Sequence, residues 1–147
     1  MSPLQDHFLI RSYIESNHFG KNLGMEFNIL AEGKVEYQMK ITEEHLATPV
    51  ASHGGAVAAF MDAALGVASL SIVCESLRVV STIEMNIRFL RPALLGNLLT
   101  AKAEVISAGK RIIVAEAKIY NQDNELVASG SGTFNAYPME KAGLTSN

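Results

Sequence analysis

SHGGAVAAFMDAALGVASLSIVC, residues 52–74, is a long and almost wholly apolar run near the middle of the chain. From Ala56 to Val73 it holds one charged side chain, Asp62, set among Ala, Val, Phe, Met and Leu. The length of the run and its alanines favour a helix over a strand, from Ala56 to about Cys74. A helix apolar on nearly every side is buried on most of its surface. A carboxylate in such a helix is costly unless something compensates it, so Asp62 needs a reason.

The rest of the chain sets the bounds. Its 147 residues suit one domain with a real core. Hydrophobic residues make up 48% and charged residues 18%, a globular composition. The net charge is −3 and the basic residues are scattered, which argues against a nucleic-acid partner. Cys74 is the only cysteine, so no disulfide framework or zinc quartet forms within the chain. The first residues show no basic region followed by an apolar one; no signal peptide is expected, and a cytoplasmic location follows as the default. The apolar run approaches the length of a membrane span, but its Ala, Gly and Ser, Asp62, and the lack of aromatic or basic flanks argue against one.

Outward from the helix, the pattern is readable on both sides. Ser2-Pro3 opens a short amphipathic helix expected to run to about Asn17. HFGKNLG, residues 18–24, breaks that pattern. MEFNILAEGKVEYQMKIT, residues 25–42, reads as two strands around Glu32-Gly33, with Val35, Tyr37, Met39 and Ile41 alternating against polar neighbours. EEHLATPVASHGG, residues 43–55, is a loop. After the helix, VVSTIEMNIRFLRP places Val79, Ile83, Met85, Ile87 and Phe89 on one face and Thr82, Glu84, Asn86 and Arg88 on the other. Residues 97–122 read as strand, turn at 107–110, and strand. A turn at Asp123-Asn124 leads into a last strand, ELVASGSGTFNAYP. Residues 139–147 are expected as a flexible tail beyond a single domain of residues 1–138. One long helix covered by a meander of antiparallel strands is an α+β fold. The helix is apolar on too many sides for one sheet to cover, and a second copy of the chain would bury the remainder.

Asp62 has ordinary readings: it points to solvent, or it pairs with Arg88 or Arg91. Three features favour a functional one. Its neighbours one helical turn away are Ala58, Ala59, Leu65 and Gly66, small enough for close approach and without a cation. The helix opens with His53-Gly54-Gly55, and a helix N-terminus carries unpaired N–H groups and partial positive charge, suited to an anion or a developing oxyanion. Finally, Gly54 and Asp62 are eight residues apart, roughly 12 Å along a helix axis. An oxyanion donor and a base must both lie within hydrogen-bond reach of one reacting group. Two groups this far apart on one helix do not meet that condition; the N-terminus of one copy beside the Asp62 of a second does. A site shared between two copies occurs twice by symmetry.

SHGGAVAAFMDAALGVAS, FGKNLGMEF upstream, and STIEMNIRFLRPALLGNLLTAKAEVISAGKR and VASGSGTF downstream together resemble the hotdog-fold acyl-CoA thioesterases, in their PaaI-like (phenylacetate-degradation) branch. The resemblance covers about residues 18–135. It implies one long central helix wrapped by an antiparallel sheet, a homodimer with shared active sites, and in many cases a dimer of dimers. It implies hydrolysis of the thioester of an aryl- or short- to medium-chain acyl-CoA. Coenzyme A then enters as part of the substrate, with no separate cofactor and no metal. Asp62 would activate water or attack the thioester, and the Gly54 N–H would polarise the carbonyl from the facing subunit. His53 would shape the loop, and the Thr82 hydroxyl would help place water. Phe89 and the turn holding Ser107, Gly109, Lys110 and Arg111 would lie near coenzyme A, with Lys110 and Arg111 on its phosphates. For Thr82 the plain alternative is a strand threonine; for Lys110 and Arg111, ordinary turn charges; for His53, a structural role.

The sequence also departs from the family pattern. Many relatives carry an Asn six residues before the histidine of His-Gly-Gly; here Ala47 stands there, with His45 and Thr48 as the nearest polar substitutes. That departure keeps a non-catalytic acyl-CoA-binding hotdog protein as the alternative.

Overall fold

The computed structural model describes residues 1–146. The elements are α1 (Phe8–Ser16), α2 (His18–Asn22), β1 (Met25–Ala31), β2 (Lys34–Lys40), α3 (Gly54–Val73), β3 (Arg78–Phe89), β4 (Leu98–Ala108), β5 (Ile112–Tyr120) and β6 (Leu126–Pro138). All six strands form one antiparallel sheet in the order β1-β2-β4-β5-β6-β3, and α3 packs along it. This is the α+β architecture expected, with one difference in connection. The strands are not a simple meander: the chain leaves β2, runs through α3, and returns as β3 at the far edge beside β6. β4 then fills the place next to β2.

The N-terminal expectation divides into pieces. Ser2 caps a 3-10 turn over Pro3–Asp6, and His7 caps α1 in its own right. The break at residues 18–24 contains a second short helix, α2, whose cap is the Asn17 side chain accepting from the Gly20 N–H. Residues after Pro138 are more ordered than a tail: Met139–Ala142 make a 3-10 turn, Met139 is buried, and Leu144 packs on the core. The end of that expected tail, Asn147, lies outside the described residues.

The core is α3 against the sheet. Phe60, Met61, Ala64, Leu65 and Ala68 have no exposed surface, and Phe60 meets Tyr37 of β2 edge to face with centroids 5.9 Å apart. Gly130 and Gly132 of β6 let the helix lie close to the strand. A Cβ on Gly132 would be 3.2 Å from Leu65, and one on Gly130 3.3 Å from Met61 while running into the Asn86 carbonyl oxygen. The apolar length of α3 would suffice for a membrane span, but 67% of its most apolar window is buried inside the fold. What the sheet leaves half-covered is a stripe of Ala58, Ala59, Asp62, Ala63 and Gly66.

β3 departs from strict alternation. A bulge between Thr82 and Glu84 leaves Ile83 without a partner on β6 and 54% exposed, and a bulge re-aims its neighbours. Thr82, expected on the outer face, instead directs its hydroxyl to Asp62 on the helix. Phe89 is likewise exposed rather than inward.

Two outcomes follow from this packing. Gly130→Ala should destabilise the fold by about 1–3 kcal/mol, the cost of overpacking a tight contact, read from urea unfolding midpoints. Burial pushes the Cys74 thiol up to about 11, so at pH 8 it stays protonated and enclosed, and a thiol reagent should label it only after unfolding.

Candidate active site

The first half of the site is the entry to α3. His53 is its N-cap: the ring Nδ1 accepts from the Gly55 N–H at 2.7 Å. The preceding loop holds it in place. The His53 N–H donates to the His45 carbonyl at 2.7 Å and the Ser52 N–H to the Ala93 carbonyl at 2.8 Å. The Gly54 N–H is left without an acceptor among the described residues, the free donor of a first helical turn. The edge of Phe89 lies over Gly54; a Cβ there would be 3.6 Å from the ring.

His45 and Thr48, the polar residues nearest Ala47, are both engaged within the loop. His45 is 4% exposed and both of its ring nitrogens are used. Nδ1 accepts from the Thr42 N–H at 2.9 Å, and Nε2 therefore carries the proton it donates to the Leu23 carbonyl at 2.8 Å. Thr48 Oγ1 accepts from the Ala51 N–H at 2.9 Å inside its own turn. Both side chains fasten the loop.

The second half is the middle of α3. Asp62 is half-buried, and its Oδ1 accepts the Thr82 hydroxyl at 2.7 Å. Neither Arg88 nor Arg91 pairs with it; Arg91 reaches Glu125 at 3.5 Å. Asp62 looks into a mostly apolar cleft of about 390 Å³ walled by α1, α3, β3 and the C-terminal residues, with Tyr13, Gly66, Leu70, Val79, Phe134 and Leu144 among its sides. Sequence reading missed the α1 wall; its signal was Leu9 and Tyr13, one turn apart on an amphipathic helix. Burial raises the Tyr13 phenol above its usual range, and the Asp62 charge adds to this. The Tyr13 oxygen accepts from the Asn17 amide at 3.0 Å and lies 3.5 Å from the Tyr37 hydroxyl.

The structure thus joins Thr82 to Asp62 and Phe89 to Gly54, and keeps the two pairs apart: His53, Gly54 and Phe89 do not line the Asp62 cleft. The expected coenzyme turn is also divided. Ser107 belongs to β4, opposite Val114, and only Gly109, Lys110 and Arg111 form the turn, closed by the Gly109 N–H on the Ile112 carbonyl at 2.8 Å. No group of three or more His, Cys, Asp or Glu with metal-holding geometry occurs among the described residues.

Comparison with known proteins follows the same outline. The family model described as Thioesterase superfamily matches residues 52–128. Acyl-coenzyme A thioesterase PaaI of Escherichia coli (strain K12) is 32% identical over 78% of this chain and 79% of its own. Acyl-coenzyme A thioesterase 13 of Homo sapiens is 27% identical over 85% and 89%. The solved structure of the E. coli PaaI protein, from the phenylacetic acid degradation operon, superposes with a TM-score of 0.80 at 28% identity, covering 86% of this chain and 89% of that one.

The electrostatic link across the cleft is measurable without substrate. A nearby carboxylate disfavours phenolate, so Asp62→Asn should move the Tyr13 titration to lower pH while burial keeps it above the ordinary tyrosine value. Difference absorbance of the phenolate, wild type against variant, reads this directly; an unmoved titration would separate the two groups.

Proposed function

The chain belongs to the thioesterase superfamily; it is a thioester hydrolase, and we propose that it cleaves an aryl- or short- to medium-chain acyl-CoA into free acid and coenzyme A at two sites shared across a homodimer. The observation that carries this reading is the division of the site. A carboxylate held by Thr82 faces an apolar cleft, and an unoccupied backbone donor, the Gly54 N–H, stands at the far end of the same helix. In two antiparallel copies of α3 the donor of each would face the Asp62 of the other. The uncovered small-residue stripe on α3 and the unpaired outer edge of β3 are the surfaces such an arrangement would use.

Chemistry then proceeds on the thioester carbonyl. Its oxygen accepts from the Gly54 N–H, and negative charge developing there is stabilised by a fixed donor at a helix N-terminus, a contribution of about 3–4 kcal/mol in comparable sites. As general base, Asp62 takes a proton from water while the water oxygen bonds to the carbonyl carbon. The C–S bond then breaks, and the thiolate leaves and takes up a proton. As nucleophile, the carboxylate bonds to the carbonyl carbon first, the C–S bond breaks and the thiolate leaves and takes up a proton, and water then hydrolyses the mixed anhydride. Label found in Asp62 after a single turnover in ¹⁸O-labelled water identifies the nucleophilic route with water attacking the Asp62 carbonyl carbon. Phe89 and the Gly109–Arg111 turn serve the coenzyme A portion.

The second reading, an acyl-CoA-binding protein without turnover, is favoured by Ala47 together with the internal engagement of His45 and Thr48.

Free-thiol release from a panel of aryl- and alkyl-CoA esters tests both. The wild type should release thiol, and Asp62→Asn should lose about 10²–10⁴-fold in kcat, the range for removing a general base, with unfolding midpoint unchanged. Equal rates in the two proteins would overturn the role of Asp62. Binding without release across the panel would select the second reading.

A further inference from the structure

The Asp62 cleft has a direction, and α3 and β3 set it. The two elements are joined by residues 74–77 and run back along each other from that joint. Leu70 and Val79 line the cleft close to the joint; farther along, the Thr82 hydroxyl meets Asp62. Eight residues of helix separate Asp62 from Leu70, roughly 12 Å. Three residues of strand separate Thr82 from Val79, roughly 10 Å. The two rulers agree on a channel with the carboxylate at one end and Gly66, Val67 and Phe134 along its sides.

The far end is closed by the segment after β6. The Met139 N–H donates to the Leu77 carbonyl at 3.1 Å, which pins the 3-10 turn Met139–Ala142 beside the α3–β3 joint. Gly143 follows at φ 76°, the left-handed region that favours glycine. Its N–H donates to the Glu140 carbonyl at 3.1 Å, and the Leu144 N–H returns to the Met139 carbonyl at 3.3 Å. This reversal sets Leu144 back on the core and in the cleft wall, half-buried. There is one side exit. Tyr13, alone among the described residues, lines both the cleft and a second hollow of about 440 Å³ between α1, α2 and β1. The Asn17 amide holds its oxygen at 3.0 Å and its ring lies by Phe27 with centroids 6.1 Å apart, so the ring is fixed across that exit.

We infer that Leu144 is a specificity-determining residue: the stop against which the far end of an acyl chain rests, held in place by the turn at Gly143. The inference deepens the acyl-CoA reading and rests on it, because a thioester carbonyl at Asp62 leaves the acyl tail as the part of the ligand that fills the channel. An apolar channel closed at one end grades chains by length. Each methylene short of the stop gains burial, and the first one past it must displace a packed side chain. Most of the other walls belong to helices and strands. Leu144 belongs to neither and is carried by one turn, so its size sets the depth of the channel without bearing on the Asp62–Thr82 pair at the other end.

Calorimetric titration with a series of S-alkyl-CoA thioethers, butyl to dodecyl, reads chain length without turnover. Wild-type affinity should rise along the series and then fall about tenfold at the first chain that overreaches Leu144, the discrimination a hydrophobic pocket makes over one methylene. Leu144→Ala should recover that loss and move the break to longer chains. Leu144→Phe should move it to shorter ones, and the butyl thioether should bind all three proteins alike. The opposite directions keep the test decisive if one variant folds poorly. A series without a break, or a break that stays in place in both variants, would overturn the inference. So would a break moved by Tyr13→Ala and not by Leu144→Ala, which sends the tail into the second hollow. Thiol release from butyryl-CoA by the same preparations separates the two levels: release with an unmoved break sinks the stop alone, and no release with no thioether binding sinks the acyl-CoA reading beneath it.

Discussion

The rest of the molecule depends on how closely α3 can approach β6. Gly130 and Gly132 remove two side chains from the strand, and Met61 and Leu65 settle against the space they leave. That contact fixes the rotation of the helix. At about 100° per residue, placing Met61 and Leu65 on β6 leaves Asp62 on the flank that faces β3, half-covered and open to the cleft. A helix so uniformly apolar has almost no amphipathic preference of its own, and burial alone would accept several rotations. Close packing selects one, and the position of the carboxylate follows from it.

The same helix needs its other end held, and the loop at residues 42–53 does this with a buried histidine. His45 spends its ring on Thr42 and Leu23 and its carbonyl on the His53 N–H. His53 in turn spends Nδ1 on Gly55. The consequence is a chain of satisfied groups that ends on one unsatisfied one, the Gly54 N–H. Nearly every buried backbone donor in a fold finds a partner; here the free one is exposed at a helix N-terminus, beneath an aromatic ring, where a ligand oxygen can reach it.

Much of this was legible before the structure. The buried helix and the six strands follow from periodicity, and one charge in an apolar run marks Asp62 as the residue to place. The separation of Gly54 from Asp62 follows from helix rise alone. Other features were hidden for identifiable reasons. The β3 bulge is a register event set by pairing with β6, and period-2 alternation carries no trace of it, so Thr82 read as outward-facing. The strand order depends on where the crossover through α3 returns. Met139 and Leu144 are single apolar residues in a polar tail, too few to produce a period, yet Met139 is buried in the core and Leu144 walls the cleft.

The divided site also bears on why an apolar helix tolerates a carboxylate. Within one chain Asp62 is neither buried nor free: Thr82 satisfies one oxygen, the cleft leaves the other accessible, and no cation neutralises it. A cation at that position would lower the cost of the charge but would also hold the carboxylate away from water or substrate. A hydroxyl donor orients the carboxylate while leaving its charge intact. Under the shared-site reading, what completes the environment is the N-terminus of a second α3, whose partial positive charge complements the carboxylate and the developing oxyanion alike. On that reading the helix that supplies the acid would also supply, to its partner, the field in which an acid of that kind is useful. It would give a physical reason for both to lie on one element, eight residues apart, too distant to serve each other.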